Sequence, residues 1–415
     1  MKTRKDRYSR REFLARAGVA TAGTIIGASS ASATNQTIAK KNQDMTLKVP
    51  TRPFGKTGID VSVLSLGGII DSSNNQLLLD QALKHGVTYW DTAESYLNGR
   101  SEEGMGEYFT KHPGVREKIF LVTKTESTDP DDLTKALEGS LERLQTSYVD
   151  LYFLHAVSDA KGWLDDSVRK WMEKKKASGM IKFFGFSTHT NMEQCLMDAS
   201  KLGWIDGIMT TYNYRIMHTD RMKAAMKACE ASGIGITAMK TQARSQWAAF
   251  IDLGTENQKG KELTERFLKK GFTTEQARLK AVWENPQIAS ICSQMPNMTL
   301  LMANIAAIGD QVQLSKQDRR LLREYGRTTE SHYCAGCGDH CESALNGEVP
   351  VTEVMRYLMY ARGYGERERA AKLFQKIPKS IRRAMVRLDY AEAEQVCPRR
   401  MPIGSLMRQA AKELV

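Results

Sequence analysis

Trp90-Asp91-Thr92-Ala93-Glu94-Ser95-Tyr96 decides the reading of this chain, because it ends a strand and begins a loop with two chemically active residues. Val87 to Trp90 reads as a short buried strand after the turn at His85-Gly86, which places Asp91 at the strand's carboxyl end and Tyr96 in the loop beyond. Lys124 closes the next apolar run, Lys118 to Thr123, and His155 closes the one after, Tyr148 to Leu154. Polar residues that end three successive strands, each followed by a helical pattern, are what the catalytic face of a (β/α)8 barrel requires. Asp91, Tyr96, Lys124 and His155 are therefore expected in one site.

Outward from that stretch, β-rich runs alternate with amphipathic helical patterns. Strands are expected at 63–66, 87–90, 119–123, 149–154, 182–186, 206–210, 234–238 and 288–291. Helices are expected near 75–85, 101–110, 131–144, 164–178, 191–201, 220–231, 274–284 and 299–307. Eight runs separated by helices predict an α/β fold closed as a TIM barrel over residues 51–325, rather than an open sheet. A lead-in hairpin turning at Gly55-Lys56-Thr57-Gly58 precedes it. The segment 242–272 is longer than a connection requires and reads as a candidate lid. With the loop 156–166 it would set the substrate, and neither carries a readable code.

The 415 residues, 41% hydrophobic, suffice for a large core. The formal charge of +12 sits at the ends: residues 1–33 hold seven Lys/Arg against two Asp/Glu, and residues 362–415 hold thirteen against six. The chain between is neutral overall, which excludes a nucleic-acid footprint on the barrel. Ser9-Arg10-Arg11-Glu12-Phe13-Leu14, a weakly apolar run from Ala17 to Ala28 and Ala31-Ser32-Ala33 resemble a twin-arginine export signal over 1–33, with 34–50 as linker. The run is too short and too rich in Gly and Ser to span a bilayer. A periplasmic protein with no stable membrane span after signal cleavage is the expectation.

The four polar residues suggest a chemistry. A carbonyl that accepts hydride develops negative charge on oxygen, and Tyr96 can supply the proton if a cation draws its pKa down from ~10. Lys124 is placed to be that cation. Asp91 would hold a buried Lys124 charged, and a neutral His155 would orient the substrate oxygen. Gly55-Lys56-Thr57 lacks the upstream glycine of a phosphate loop, Gly185-Phe186-Ser187-Thr188-His189 lacks the last glycine of a nucleophile elbow, and no G-x-G-x-x-G occurs.

Asp91-Thr92-Ala93 with Tyr96, Ser101-Glu102, Gly106, Lys124, Arg143-Leu144, Asp150-Leu151-Tyr152 with His155, Gly185-Phe186-Ser187, Tyr212-Asn213 and Asn304 resemble the aldo-keto reductase superfamily, in the right order from about Thr51 to Ile308. The resemblance implies NADP or NAD as cofactor, Tyr96 as acid, Lys124 and Asp91 as its tuners and His155 as the orienting group. It also implies nucleotide contacts from Ser187, Asn213 and Asn304, and a small carbonyl or alcohol, sugars among them, as substrate. Lys240 follows the seventh strand, where an aromatic often stands, and would reach a phosphate of the cofactor or be a solvated side chain. Met209 replaces a common carboxamide-binding Gln. Met295 to Thr299 offer no cation for a 2′-phosphate, so NADP is a family default here. A non-catalytic nicotinamide-binding sensor or scaffold is the alternative, and the intact set of four speaks against it.

Beyond residue 325 the pattern changes, and 326–415 reads as an appended, mainly helical, cysteine-containing domain. Of seven cysteines, Cys195, Cys229 and Cys292 read as core or incidental. Cys334-Ala-Gly-Cys337-Gly-Asp-His-Cys341, with Cys397-Pro398 downstream, suggests a metal site: a [4Fe–4S] cluster, a four-cysteine zinc, or disulfides, with His340 as a possible substitute ligand. Aldo-keto reductases with a ferredoxin-like tail carry two triplets, each with a Cys-Pro. Here the first triplet and the second Cys-Pro remain, the set that would complete one cluster, although C-x3-C replaces C-x2-C. The basic helices behind it, with Arg382, Arg383 and Arg387, would attract an acidic electron-transfer partner or form a solvated face.

Overall fold

The computed structural model describes residues 47–243, 258–271, 273–309 and 312–415. The expected export segment, most of the linker and residues 244–257 of the expected lid lie outside them. Within the linker range, Val49 is buried and donates its N–H to the His85 carbonyl at 2.8 Å.

The lead-in hairpin pairs β1 (Thr51–Pro53) with β2 (Asp60–Ser62), antiparallel, around glycines at φ 55° and 75°. Its Phe54 is fully buried and closes the amino-terminal end of the barrel. A Cβ on Gly207 or Gly235, the first residues of two barrel strands, would stand 2.7 or 2.6 Å from that ring, so the plug demands glycine at both.

The eight barrel strands are β3 (Leu64–Gly67), β4 (Tyr89–Asp91), β5 (Phe120–Thr125), β6 (Val149–Leu154), β7 (Ile181–Thr188), β8 (Gly207–Thr211), β9 (Gly235–Met239) and β10 (Ser290–Gln294). They close in that order, β10 pairing with β3, and every pair is parallel. Each expected strand is present, most of them shifted by one to three residues at an end.

Strand period decides which residues reach the site. Tyr89, Phe120, Val122, Leu151 and Phe153 fill the barrel interior, while Trp90, Leu121, Tyr152 and Leu154 pack outward beneath the helices. Alternation then turns Asp91, Lys124 and His155 inward at the carboxyl ends. On the outer face Trp90 stacks on Phe109 and meets Tyr108, ring centroids 5.7 and 5.5 Å apart. The helices start where their caps dictate: Asp129 accepts from the N–H groups of Asp131 and Asp132, with Pro130 in the first turn of Pro130–Arg143.

Helix Lys316–Thr328 runs through the boundary expected at 325/326. Its Leu322 and Tyr325 belong to the barrel's core, as does Tyr333, and the second hydrophobic core starts at Cys341. The reason lies in the helix's apolar stripe, which faces the barrel rather than the tail. Asp318 in that helix is fully buried, caps it together with Ser315, and receives Arg266 and Lys270. Burial raises its pKa, but Lys270, Ser315 and Arg266 together hold it well below the carboxylate range. A carboxyl depressed on folding contributes stability above its unfolded pKa of ~4 and loses it as pH falls through the folded value. Asp318→Asn is expected to cost about 1.5–3 kcal/mol at neutral pH. In urea titrations its stability should fall less below pH ~4 than that of the native chain. Parallel acid profiles would reject this role.

The tail folds around Val354, Leu358, Phe374, Met385, Leu406 and Met407, all buried. Among the described residues no helix is long and apolar enough to cross a membrane.

Candidate active site

At the carboxyl end of the barrel, β4 delivers Asp91 and β5 delivers Lys124, whose Nζ stands 2.6 Å from Asp91 Oδ1, both side chains almost fully buried. Lys124 Nζ also donates to the Thr92 carbonyl at 2.6 Å and lies 3.5 Å from the Tyr96 hydroxyl. The loop carrying Tyr96 is shaped by Leu97 and Asn98, both in the left-handed region. It is tied below by Thr92 Oγ1 and Ser101 Oγ, 2.8 Å apart. Tyr96 meets the His155 ring edge-on at 5.7 Å, so the four residues expected together do share one site.

The motif residues around them hold the frame. Arg143 Nε donates to fully buried Glu102 at 2.7 Å, and Thr123 donates to the same carboxylate. Asp150 receives Arg116, Lys182 and the Leu121 N–H. These contacts tie β5 to the helices on either side of it and β6 to β5 and β7.

Burial pulls Lys124 toward its neutral form, but Asp91 and Tyr96 outweigh it and hold the ammonium above its ordinary range. His155 is held well below the ordinary imidazole range, first by burial and then by Lys124, Arg356, Lys240 and Arg369, so it is neutral. Its Nδ1 has no hydrogen-bond partner among the described residues. Tyr96 corrects the expectation of a lowered phenol: burial pushes it up to about 12, Lys124 opposing and Asp91 reinforcing. Desolvation of the phenolate outweighs one ammonium at 3.5 Å that is already paired with a carboxylate. Tyr96 is thus fully proton-loaded at neutral pH.

Cys292, read from sequence as incidental, joins the site with Sγ 3.7 Å from Asp91 Oδ2. Its place directly after the expected strand 288–291 was the available signal, and the strand in fact continues past it to Gln294.

The residues expected at the nucleotide fare differently. Ser187 on β7 accepts the Ala156 N–H at 3.0 Å, which leaves its hydroxyl proton free to donate to a carboxamide. Met209 is its register partner on β8 and offers an apolar wall. Asn304 Nδ2 donates to Ser293 Oγ at 3.0 Å beside the end of β10. Asn213 is fully buried and its amide is occupied, donating to the Lys240 carbonyl and to the Tyr333 hydroxyl at 2.9 Å. It bolts the loops after β8 and β9 to the tail. Lys240 Nζ lies 2.9 Å from His189 Nδ1 and turns toward Tyr360.

The tail reaches the barrel through its cysteine loop. The Asn191 N–H donates to the Gly336 carbonyl at 2.7 Å, and a Cβ at Gly336 (φ +79°) would stand 2.3 Å from the His189 carbonyl oxygen. Arg221 contacts both Asp339 and His340 Nε2. Arg399 donates to the Arg215 carbonyl. Cys334, Cys337, Cys341 and Cys397 all line one small, partly open pocket, together with His340, Thr352, Arg399 and apolar side chains. None of the four is in a disulfide. Among the described residues no three His, Cys, Asp or Glu side chains are gathered to hold a single metal ion.

A phenol that arrives protonated, an ammonium behind it and an uncharged imidazole beside it suit proton transfer to an oxygen that is gaining negative charge. Set at the mouth of a parallel barrel, they suit an oxidoreductase. Residues 64–316 match the aldo/keto reductase family, more than half of the chain, and the chain belongs to that family as an NAD(P)-dependent oxidoreductase. The match ends before the tail. The oxidoreductase YrpG of Bacillus subtilis strain 168 is 24% identical over 323 residues, covering 67% of this chain and 98% of that protein. Aldo-keto reductase yakc [NADP(+)] of Schizosaccharomyces pombe is 26% identical, over 46% of this chain and 60% of its own length. Among solved structures, the holo form of aldo-keto reductase AKR11C1 from Bacillus halodurans superposes with a TM-score of 0.53 at 20% identity, over 66% of this chain and 96% of its own. That likeness is one of fold.

Proposed function

We propose that this chain performs NADP-linked interconversion of a small carbonyl compound and its alcohol, with Tyr96 as the proton donor and acceptor. The observation that carries this reading is the buried Asp91–Lys124 pair, 2.6 Å apart, with Tyr96 at its open end. Ser187 would hold the nicotinamide's carboxamide through its hydroxyl, and the cofactor, when bound, would supply the hydride chemistry. Tyr96 gives its proton to the oxygen, and Lys124 steadies the phenolate that remains. Asp91 keeps that ammonium charged, while His155, uncharged, donates a hydrogen bond that fixes the oxygen. In the opposite direction the phenolate takes the alcohol proton back. Asn304, and Ser187 through its free hydroxyl proton, are the nucleotide contacts this reading retains. The name of the fission-yeast relative supports NADP.

The reading extends to the tail, where Cys334, Cys337, Cys341 and Cys397 hold one [4Fe–4S] cluster. A pocket walled by four thiols outside any disulfide and by apolar groups, with no carboxylate in its wall, suits a cluster better than one zinc ion, which would draw its ligands into a tighter set. A cluster there supplies one-electron chemistry, and an acidic electron-transfer partner would meet the exposed Arg383 and Arg387. Protein purified without oxygen is expected to be brown with about four irons per chain, and Cys397→Ser to lose both. Stoichiometric zinc in a colourless protein would overturn the cluster.

The localisation belongs to the same reading: export by the twin-arginine route to the periplasm, directed by Arg10 and Arg11. Changing both arginines to lysine should leave the protein in the cytoplasmic fraction, and unchanged fractionation would reject the signal.

A further inference from the structure

Beyond the family match, the tail brings positive charge to the barrel mouth. Helix Val351–Leu358 runs into a π-helical turn, Met359–Gly363. Such turns insert a residue, re-aim side chains and occur often at functional sites. This one carries Tyr360, whose hydroxyl lies 3.3 Å from Arg356 Nη1 and whose ring has the Arg369 guanidinium at 4.5 Å and Lys240 Nζ at 5.5 Å. Lys240, at the end of β9, adopts φ 53°, a left-handed conformation unusual for a residue with a side chain.

The charges do not balance. Arg356 is paired with Glu353, and Arg369 with Glu366 at 2.7 Å. Lys240 has His189 as its partner and, among the described residues, no carboxylate. Three cations thus face two carboxylates and the Tyr360 hydroxyl, beside a neutral His155 and a protonated Tyr96, while Asp91 is committed to Lys124. Burial draws Lys240 toward its neutral form, and burial also raises the Tyr360 phenol, which Lys240, Arg356 and Arg369 draw down to about 7. Positive charge in a partly buried place is costly unless an anion answers it; Tyr360 answers part of it at neutral pH, and an anionic ligand would answer what remains. The cluster is close enough that Arg369 acts on Tyr96, and Arg356, Lys240 and Arg369 all act on His155. These are the two residues between which the reacting oxygen lies.

We propose that the substrate is a carbonyl compound, or its alcohol, bearing a carboxylate, which Arg356, Arg369 and Lys240 receive while Tyr96 and His155 hold the reacting oxygen. This rests on the reductase reading above and narrows its substrate class. Arginine suits the task because its planar fork meets a carboxylate with two parallel hydrogen bonds. The tail is then part of the active site, supplying two of the three cations.

The test uses the full-length, anaerobically purified enzyme with NADPH. Carboxybenzaldehyde is compared with its carboxamide counterpart, and succinic semialdehyde with its amide. The acid is expected to exceed the amide in kcat/KM by at least about tenfold, and Arg356→Gln or Arg369→Gln to bring that ratio toward one. Equal rates for acid and amide, or a ratio unmoved by either substitution, would overturn the proposal. Weaker NADPH binding in the variants with the ratio intact would assign the cations to the nucleotide's phosphates instead and overturn it as well. If no carbonyl is turned over, the reductase reading fails separately. Calorimetric titration with benzoate still decides, since binding lost in Arg369→Gln supports the anion pocket, and no binding, or binding unchanged in Arg369→Gln, overturns it.

Discussion

Tyr96→Phe is expected to lower kcat for carbonyl reduction by about 10²–10⁴-fold while NADPH binds with nearly its native affinity. The phenol is pushed up to about 12 by burial, so at neutral pH it arrives carrying the one proton placed to meet the substrate oxygen. His155 cannot replace it, because burial and four nearby cations hold its imidazole neutral, without the extra proton an acid would need. Lys124 cannot replace it either, being held charged by Asp91 and engaged with the Thr92 carbonyl. Phenylalanine keeps the ring and its edge-on contact with His155 and removes only the hydroxyl. Single-turnover kinetics beside a nucleotide titration separate the two effects. Native turnover in this variant would end Tyr96's role as acid, and lost nucleotide binding would mean that the substitution disturbed the site itself.

Asp91→Ala is expected to destabilise the fold by about 3–5 kcal/mol, because it leaves the Lys124 ammonium buried without its counter-charge. Lys124 would then tend to shed its proton in the folded state, while the unfolded chain would keep it. The unfolded state of the variant would bind more protons, so its stability should rise with pH across the range where the native chain's does not. Adding Lys124→Met, which fills the space without a charge, should restore part of the loss. Denaturant titrations of the native chain, both single variants and the double variant form the cycle. Additive losses would show that the two side chains are not coupled, against their 2.6 Å contact.

Residues close in sequence to strand ends were legible, because strand alternation is a local rule. Once Trp90, Leu121 and Leu154 pack outward, Asp91, Lys124 and His155 must turn inward, and barrel closure brings them together. Ser187 follows from the same rule on β7. The magnitude of electrostatic effects was not legible: Tyr96 rises rather than falls because the depth of its burial is a property of the whole mouth. Asn213 stands in a recognisable motif, yet its amide is taken up by Lys240 and by Tyr333, 120 residues further along. Arg356 and Arg369 lie within the basic helical region of the tail, where nothing local singles them out. Only packing against the barrel distinguishes them from exposed Arg383 and Arg387.

The sequence by itself determined the barrel, the order of its strands, the four polar residues at its mouth and the four cysteines of the tail, since periodicity and spacing are written into consecutive residues. Tertiary structure alone decided how the tail meets the barrel: Gly336 against His189, Tyr333 on Asn213, and Tyr360 with its arginines near Tyr96. Those contacts join segments more than a hundred residues apart, whose meeting depends on shape and desolvation summed over both surfaces. No local pattern encodes that sum.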